Sequence, residues 1–185
     1  MHVLIAPADS PNRVTLLGSP AIDGNSVVDL KFAAADPSRT IAAMFLNINT
    51  GFTLAPDAPT NSTSDCVAQS DVQIIMMANH MHEFGATAST EVLRAGTGAV
   101  EMLHQDPAWT YDMQFNAVYS RWPVETPFVL HMGDTIRTTC SWVNTTAKSM
   151  VFPREMCIGT GFALATGGAP TAPSCINGAW LPQGV

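Results

Sequence analysis

The sequence contains little charge, and positive charge least of all. Only 12% of its 185 residues are charged, and lysine occurs only at Lys31 and Lys148. The formal net charge at pH 7 is −7. A protein that binds nucleic acid needs a basic face, so we expect no nucleic-acid partner.

Long apolar runs are also missing. No run approaches the roughly 20 residues needed to span a bilayer, so we expect no transmembrane segment. The opening stretch MHVLIAPADSPN is too short and too interrupted by proline to be a signal peptide. Hydrophobic residues nevertheless make up 46% of the chain, which is enough to fill the core of one domain.

Helical periodicity is a third absence. No segment of ten residues or more repeats its apolar positions with a helical period. Segments of alternating polarity, typical of strands, are instead separated by turn sequences. In TIAAMFLNI the alternation places Ala42, Met44, Leu46 and Ile48 on one face. Three other alternating segments are SVVDLKFAA, MQFNAVYS and DTIRTTCSW.

Two further segments complete the prediction of the fold. TEVLRAGTGAVEML reads as a hairpin around the turn AGTG, and VQIIMMANHMH is apolar on both faces, as in a central strand. We predict an all-β protein: an antiparallel β-sandwich of jelly-roll type with about eight strands and almost no helix. We assign residues 40–185 to this domain. Residues 1–39 would be an N-terminal extension or the remnant of a preceding domain.

The four cysteines are widely spaced, and none forms a CxxC pair of the kind that binds zinc. Their spacing suits two disulfides in an oxidising, extracytoplasmic compartment, with three connectivities open. The alternative is a set of buried free thiols.

His80 and His82 stand one residue apart in the stretch MMANHMHEFG. Residues i and i+2 of a strand point to the same face, about 6–7 Å apart, so both imidazoles could bind one metal ion. The alternative is two solvent-facing or hydrogen-bonded core histidines. The apolar neighbours Ile74, Met76 and Ala78 favour the metal, because buried imidazoles need partners.

Met156 is the candidate third ligand. Most of the ten methionines suit core packing, but Met156 lies between a charged pair and Cys157, just after a proline turn. A thioether there would select Cu(I) over harder ions. The remaining histidines, His2, His104 and His131, are scattered, and we interpret His104 and His131 as structural.

An ordered set of motifs resembles one protein family. Three motifs carry the resemblance: His80-Met81-His82 with Gly85, Gly133-Asp134 leading to Cys140, and Glu155-Met156-Cys157. Two longer stretches accompany them, HQDPAWTYDMQF and IAAMFLNINTGFTLAP. Together they are similar to the C-terminal catalytic domain of the copper type II ascorbate-dependent monooxygenases. That family includes peptidylglycine alpha-hydroxylating monooxygenase and dopamine beta-monooxygenase. The likeness covers about residues 40–176.

The resemblance implies disulfides Cys66–Cys175 and Cys140–Cys157. It also implies one copper ion, Cu(I) or Cu(II), bound by His80, His82 and Met156, which activates dioxygen for C–H hydroxylation. Ascorbate would be the reductant. A second copper, bound by three histidines in a preceding domain, would supply an electron.

The sequence departs from the family in two respects. Residues 1–39 are too short to be the preceding copper domain, so a partner chain or missing sequence would have to provide it. The peptide-amidating branch has arginine, asparagine and tyrosine where this chain has Ala78, Ile158 and Thr160. These positions do not match recognition of a glycine-extended peptide.

Two function classes therefore remain open. The chain is the oxygen-activating half of a copper monooxygenase acting on a small-molecule or peptide substrate, or a non-catalytic copper-binding or degenerate sandwich subunit of a larger extracytoplasmic assembly. An upstream segment with paired histidines would favour the enzyme.

Overall fold

The computed structural model describes residues 2–5, 14–17, 40–165 and 171–182. The chain forms two compact units, Met1–Pro37 and Ser38–Val185. In the first unit, β1 (His2–Ile5) pairs antiparallel with β2 (Val14–Leu17). The predicted strand SVVDLKFAA lies outside the described residues. The assignment of residues 1–39 to an extension or a domain remnant stays a prediction.

Thirteen strands and one short helix are described in the second unit. In chain order, the strands are β3 (Ala42–Asn49), β4 (Thr53–Leu54), β5 (Ala58–Val67), β6 (Val72–His80), β7 (Gly85–Leu93), β8 (Val100–Asp106), β9 (Ser120–Arg121), β10 (Phe128–Leu130), β11 (Thr135–Asn144), β12 (Met150–Val151), β13 (Cys157–Leu164), β14 (Ser174–Ile176) and β15 (Ala179–Leu181). A 3-10 helix, Tyr111–Gln114, lies between β8 and β9.

Two sheets form the layers of the second unit. The large sheet has the order β10-β6-β13-β3-β14-β15, with β9 also paired to β6. The small sheet has the order β5-β11-β7-β8. Pairing is antiparallel except between β14 and β3. β4 and β12 form a separate two-stranded pair.

Apolar side chains from both sheets meet in two buried clusters. The larger cluster joins Phe45, Ile74 and Met77 of the large sheet to Val92 and Ile136 of the small sheet. The smaller cluster surrounds Trp142, against which Phe52 stacks with ring centroids 4.7 Å apart. This shared core makes the unit a sandwich, because each sheet buries one face against the other.

Two disulfides join the layers. Cys66 of β5 is bonded to Cys175 of β14, and Cys140 of β11 is bonded to Cys157 of β13. This is the pairing that the resemblance implies. All four cysteines are thus paired.

The predicted fold class is confirmed: the protein is all-β and its main unit is a disulfide-stapled sandwich. Of the strands in the described parts of the chain, seven have seven residues or more and the additional ones have four or fewer. The hairpin around AGTG is β7–β8, and the buried positions of β11 alternate as predicted, at Ile136, Thr138, Cys140 and Trp142.

Three details differ from the sequence-based expectations. MQFNAVYS is not one strand: it begins in the 3-10 helix and reaches strand only at Ser120. In β3 the fully buried residues are Phe45 and Asn47, whereas Met44 is 54% exposed, so the predicted apolar face is the outer one. In β6 the alternation is interrupted at Ile75, as described below.

Among the described residues, no helix is long and apolar enough to cross a membrane.

Candidate metal centre

A β-bulge in β6 determines which way His80 faces. On the neighbouring β13, Ala163 pairs with Ile74 and the next residue, Phe162, pairs with Met76, so Ile75 is an extra residue. Ile74 and Met77 both point into the core between the sheets. Because side chains alternate after the bulge, Asn79 also points inward and His80 lies on the outer face of the large sheet.

His80 therefore does not share a face with Ile74, contrary to the period-two reading of the sequence. His80 is the last residue of β6 and pairs with Ile158 of β13. His82 lies just beyond the strand, after the fully buried Met81. The imidazole rings of His80 and His82 are edge to face, with centroids 5.2 Å apart. The structure thus brings the predicted histidine pair together at the end of β6.

Backbone contacts fix His82 in position. Its ring Nδ1 lies 3.0 Å from the carbonyl oxygen of Arg154. A carbonyl only accepts hydrogen bonds, so Nδ1 carries the proton and donates it. In a neutral ring the lone pair then resides on Nε2, which is the arrangement of a metal-binding histidine oriented by its second nitrogen.

Glu155 anchors the turn after β6 although it is completely buried. Its Oε2 accepts the backbone N–H of His82 at 3.2 Å, and its Oε1 accepts the backbone N–H of Phe84 at 3.0 Å. Two backbone donors compensate for removing a carboxylate from water. The carboxylate thereby ties the turn that carries His82 to the segment that carries Met156.

Trp109 closes the turn from the other side. Its indole N–H donates to the carbonyl oxygen of His82 at 3.0 Å. The ring fits because position 85 is glycine: a Cβ there would lie 2.5 Å from Trp109 Cδ1 and 2.7 Å from Met81 Cε.

The backbone places Met156 beside the histidine pair. Arg154 and Glu155, which directly precede it, both contact His82, and Cys157, which follows it, opens β13 next to β6. The Cys140–Cys157 disulfide ties this point to the small sheet. Met156 itself is partly buried. Its role as a metal ligand stays a prediction.

Charge near the pair is balanced locally. The Arg154 guanidinium donates to Glu83 Oε2 at 2.8 Å and lies 5.7 Å from the centroid of the Phe84 ring.

Within the part of the chain that the structure describes, no three His, Cys, Asp or Glu side chains are grouped so as to hold a metal ion. A metal at the histidine pair would therefore depend on a ligand of another kind, and the thioether of Met156 is the candidate.

Two other histidines of the second unit, His104 and His131, lie outside this pair. His104 is buried, with Nδ1 2.9 Å from Ser120 Oγ and Nε2 3.2 Å from Asp106 Oδ1. His131 is exposed beside Asp71, at 3.5 Å.

A buried chain of hydrogen bonds runs behind the strand that carries His80. Asn79 donates to Asp106 Oδ2 at 2.8 Å and accepts from Thr90 at 2.7 Å. From Thr90 the chain continues to Thr138 at 3.0 Å, and Asn47 donates to Thr138 at 3.1 Å. This network ties the C-terminal end of β6 to the small sheet.

The roles of Glu155, Trp109 and Asn79 were not predicted from the sequence. Glu155 stood inside a recognised motif, but the sequence did not show that it is buried. The single available signal was its position directly after Arg154 and two residues after Pro153.

Comparison with known proteins identifies the family. The model of the copper type II ascorbate-dependent monooxygenase C-terminal domain matches residues 41–159. No curated protein matches the sequence.

Two solved structures of infectious bursal disease virus were also found. The Gt strain structure shares 8% sequence identity and a TM-score of 0.26, over 85% of this chain and 42% of that chain. The Gx strain structure shares 10% identity and a TM-score of 0.28, over 84% and 41%. The chain thus spans about two fifths of the length of these structures, and similarity this low carries no argument.

The family match covers most of the sandwich, including the histidine pair, Met156 and three of the four cysteines, so the chain belongs to the copper type II ascorbate-dependent monooxygenase family, as its C-terminal domain.

Proposed function

We propose that His80, His82 and Met156 bind one copper ion and that the chain is the oxygen-activating half of an ascorbate-dependent monooxygenase. The observation that carries the proposal is the pair of imidazoles at the end of β6, with ring centroids 5.2 Å apart and the backbone of Met156 beside them.

The donor set fits copper. Imidazole nitrogen suits both oxidation states of copper, and a thioether favours Cu(I). The contact from Nδ1 of His82 to the Arg154 carbonyl supports ligation through Nε2. Two imidazoles and a thioether bring no negative charge, so they offer little to a hard cation such as calcium or magnesium.

When bound, copper would supply dioxygen activation for C–H hydroxylation: one oxygen atom enters the product, the other leaves as water, and ascorbate provides two electrons. The protein's own residues would position the ligands. Glu155 and Trp109 hold the backbone of His82 from opposite sides. The Cys140–Cys157 bond restricts where Met156 can move. Such preorganisation lowers the entropy lost when a weak ligand closes on a metal.

The proposal includes a redox partner. The family reaction uses a second copper site, and the described residues contain no group of three His, Cys, Asp or Glu side chains that could hold the second ion. We propose that a second copper domain or partner chain supplies the electron. The two disulfides favour an oxidising, extracytoplasmic compartment.

Copper titration of two ligand variants and two control variants tests the ligand set. His82→Ala should abolish most binding of both oxidation states, because two ligands hold the ion poorly. Met156→Leu should keep Cu(II) binding and weaken Cu(I) retention, because only the soft ligand is lost. Leu is close to Met in volume, so the fold should survive. His131→Ala and Met132→Leu, both at exposed positions, are matched controls.

Cu(I) competition with a chelator and electron paramagnetic resonance of the Cu(II) form provide the readouts. Equal Cu(I) retention by the parent and by Met156→Leu would exclude the thioether as a ligand.

Ascorbate-driven oxygen uptake separates the enzyme from a copper-binding subunit without catalysis. The isolated chain should bind copper but consume little oxygen, and a complementing copper domain should restore uptake. Full turnover by the isolated chain with one copper would refute the need for a partner.

A further inference from the structure

Two pairing registers compete at the end of β6, and they place His80 on opposite faces of the large sheet. In the observed register Ile75 is an extra residue, so that Met76 pairs with Phe162. Asn79 then points inward and His80 outward. In a regular register Ile75 would pair with Phe162, and every later residue of β6 would move to the opposite face. The His80 imidazole would then point into the core.

Apolar burial does not favour the observed register. Each register directs one methionine inward, Met77 in the observed register and Met76 in the regular one. At the next inward position the observed register has Asn79, whereas the regular register would have Ala78. The regular register is also the one that the alternation of the sequence predicts. Burying an amide is unfavourable unless it is hydrogen-bonded, so specific contacts must compensate for it.

Asn79 makes such contacts at both ends of its side chain. It is buried, and its Nδ2 donates to Asp106 Oδ2 at 2.8 Å. Its Oδ1 accepts the hydroxyl proton of Thr90 at 2.7 Å. A carboxylate only accepts, and this threonine donates, so the position requires a side chain that does both. Ala78 would do neither and would leave two buried polar groups without this partner.

Glycines on β13 make room for this arrangement. Gly159 pairs with Asn79, and a Cβ at Gly159 would lie 2.7 Å from Thr90 Oγ1. A Cβ at Gly161 would overlap the backbone carbonyl of Met76, which directly follows the bulge. The neighbouring strand thus accommodates both the contacts of the amide and the bulge itself.

We propose that Asn79 is a positioning residue of the histidine pair. Its hydrogen bonds to Asp106 and Thr90 select the bulged register. That register places the His80 imidazole on the outer face, beside the ring of His82. The selection of the register is a property of the metal-free chain, whereas its effect on copper rests on the proposed function.

Nuclear Overhauser contacts between the backbones of β6 and β13, measured by nuclear magnetic resonance of the full metal-free chain, report the register. Asn79 lies opposite Gly159 in the observed register. In the regular register it would lie opposite Ile158. The two registers therefore give different cross-strand contacts for the same residue.

Three variants and one control test the hydrogen bonds. Asn79→Leu keeps the branched shape of the side chain and removes both bonds, and Asp106→Asn replaces one acceptor oxygen by a donor. The exchange of Asn79→Asp with Asp106→Asn restores the pair, because the new amide donates to the new carboxylate, which still accepts from Thr90. Thr138→Val is the matched control, because the Thr138 hydroxyl bonds Thr90 and Asn47 but no residue of β6.

Asn79→Leu should replace the contacts to Gly159 by contacts to Ile158, and Asp106→Asn should show both sets. The exchanged pair and Thr138→Val should keep the contacts of the parent. If Asn79→Leu does not fold, Asp106→Asn and the exchanged pair carry the test. Contacts to Gly159 alone in every folded single variant would overturn the inference, and so would a shifted register in the exchanged pair.

Cu(I) titration of the same proteins separates this inference from the proposed function. Asn79→Leu should bind Cu(I) at least about tenfold more weakly than the parent, because the imidazole of His80 leaves the pair, and the exchanged pair should recover the affinity. Copper binding by the parent with an unshifted register in Asn79→Leu refutes this inference alone. A shifted register in that variant, with a parent that binds no copper, refutes the copper site and supports the role of Asn79 in the register.

Discussion

Glu155 shows how one side chain can fix the geometry of the histidine pair without touching either ring through its carboxylate. It is fully buried, and its two oxygens accept the backbone N–H groups of His82 and Phe84. An acceptor-only group suits this place because both partners are donors. A side-chain amide could satisfy only one of them with its oxygen.

Glu155→Gln should therefore lower the free energy of unfolding by about 1–3 kcal/mol, the cost of leaving a buried donor without an acceptor. Urea unfolding at pH 7 measures the change. Glu83→Gln is the matched control. Its carboxylate is exposed and paired with Arg154, so the same substitution should change stability by less than about 1 kcal/mol. Equal effects of both substitutions would show that burial of Glu155 has no energetic consequence.

Gly85 provides a second prediction for a single residue. In Gly85→Ala the new Cβ would overlap Trp109 and Met81, so the indole must move and its bond to the His82 carbonyl must weaken. We expect a loss of about 1–3 kcal/mol, typical of overpacking, and weaker copper binding. Gly96→Ala is the control, because its Cβ would meet no atom within 4 Å. Unchanged stability of Gly85→Ala would contradict this packing.

Among the elements, the two disulfides close loops of very different length. The bonded cysteines are 17 residues apart in Cys140–Cys157 and 109 residues apart in Cys66–Cys175. In the loop-entropy model the shorter loop contributes about 3 kcal/mol and the longer about 5 kcal/mol. Replacing each cysteine pair by alanine should lower the free energy of unfolding, measured with denaturant, and the loss should be larger for Cys66–Cys175.

The effect of the two replacements on Cu(I) retention should follow the opposite order. Loss of the Cys140–Cys157 bond should weaken Cu(I) retention more, because only this bond adjoins Met156. If the Cys66–Cys175 variant lost Cu(I) equally, a general loosening of the sandwich would be the better explanation.

Strands differ in how well alternation in the sequence predicted their faces. β11 was predicted correctly because its buried positions are uninterrupted and mostly apolar. β3 was harder, since the core side carries Asn47, whose amide nitrogen donates to Thr138 of the other sheet, and such tertiary pairing leaves no local signal. The misread segment MQFNAVYS alternates in polarity yet exposes Phe115 and Val118, so hydrophobicity there does not report burial.

The sequence predicted which residues make up the candidate site better than it predicted which way they face. Spacing alone brought His80 and His82 together, and the Cys140–Cys157 disulfide that the resemblance implied lies next to Met156. The support from Glu155 could not be predicted, because fully buried glutamates are rare.

For the molecule as a whole, stability in acid should depend on a few carboxylates that accept hydrogen bonds from arginine side chains or backbone N–H groups. Burial opposes ionisation of Asp134, but hydrogen bonds from the Ala95 backbone and the Arg94 guanidinium outweigh it and lower the pKa. A hydrogen bond from Arg94 lowers the pKa of Glu101, and one from Arg137 lowers the pKa of Asp65. Asp134 links the β7–β8 turn to the start of β11.

A carboxyl whose pKa is lower in the folded state stabilises that state fully at pH values above its unfolded pKa. We therefore expect stability to fall as the pH drops below about 4.5, near the ordinary pKa values of Asp and Glu, and to keep falling through the lowered ones. Urea unfolding between pH 3 and 7 measures the slope of the free energy of unfolding against pH. Asp134→Asn should make the slope shallower and reduce stability at pH 7. Glu125→Gln, at an exposed position, should do neither. An unchanged slope in Asp134→Asn would contradict the assignment.

The extra residue in β6 has a consequence for how this chain can vary in length. Ile75 exchanges odd and even positions, so that Asn79 reaches the interior and His80 the surface. Deleting one residue here would close the bulge: Ile74 and Met76 would keep their partners Ala163 and Phe162, so the imidazole would stay outside and the amide inside. A second deletion would find no extra residue to remove, and it would turn the imidazole inward and the amide outward. A library of length variants, sorted for soluble expression and copper retention, should therefore accept one deletion in this segment and reject two.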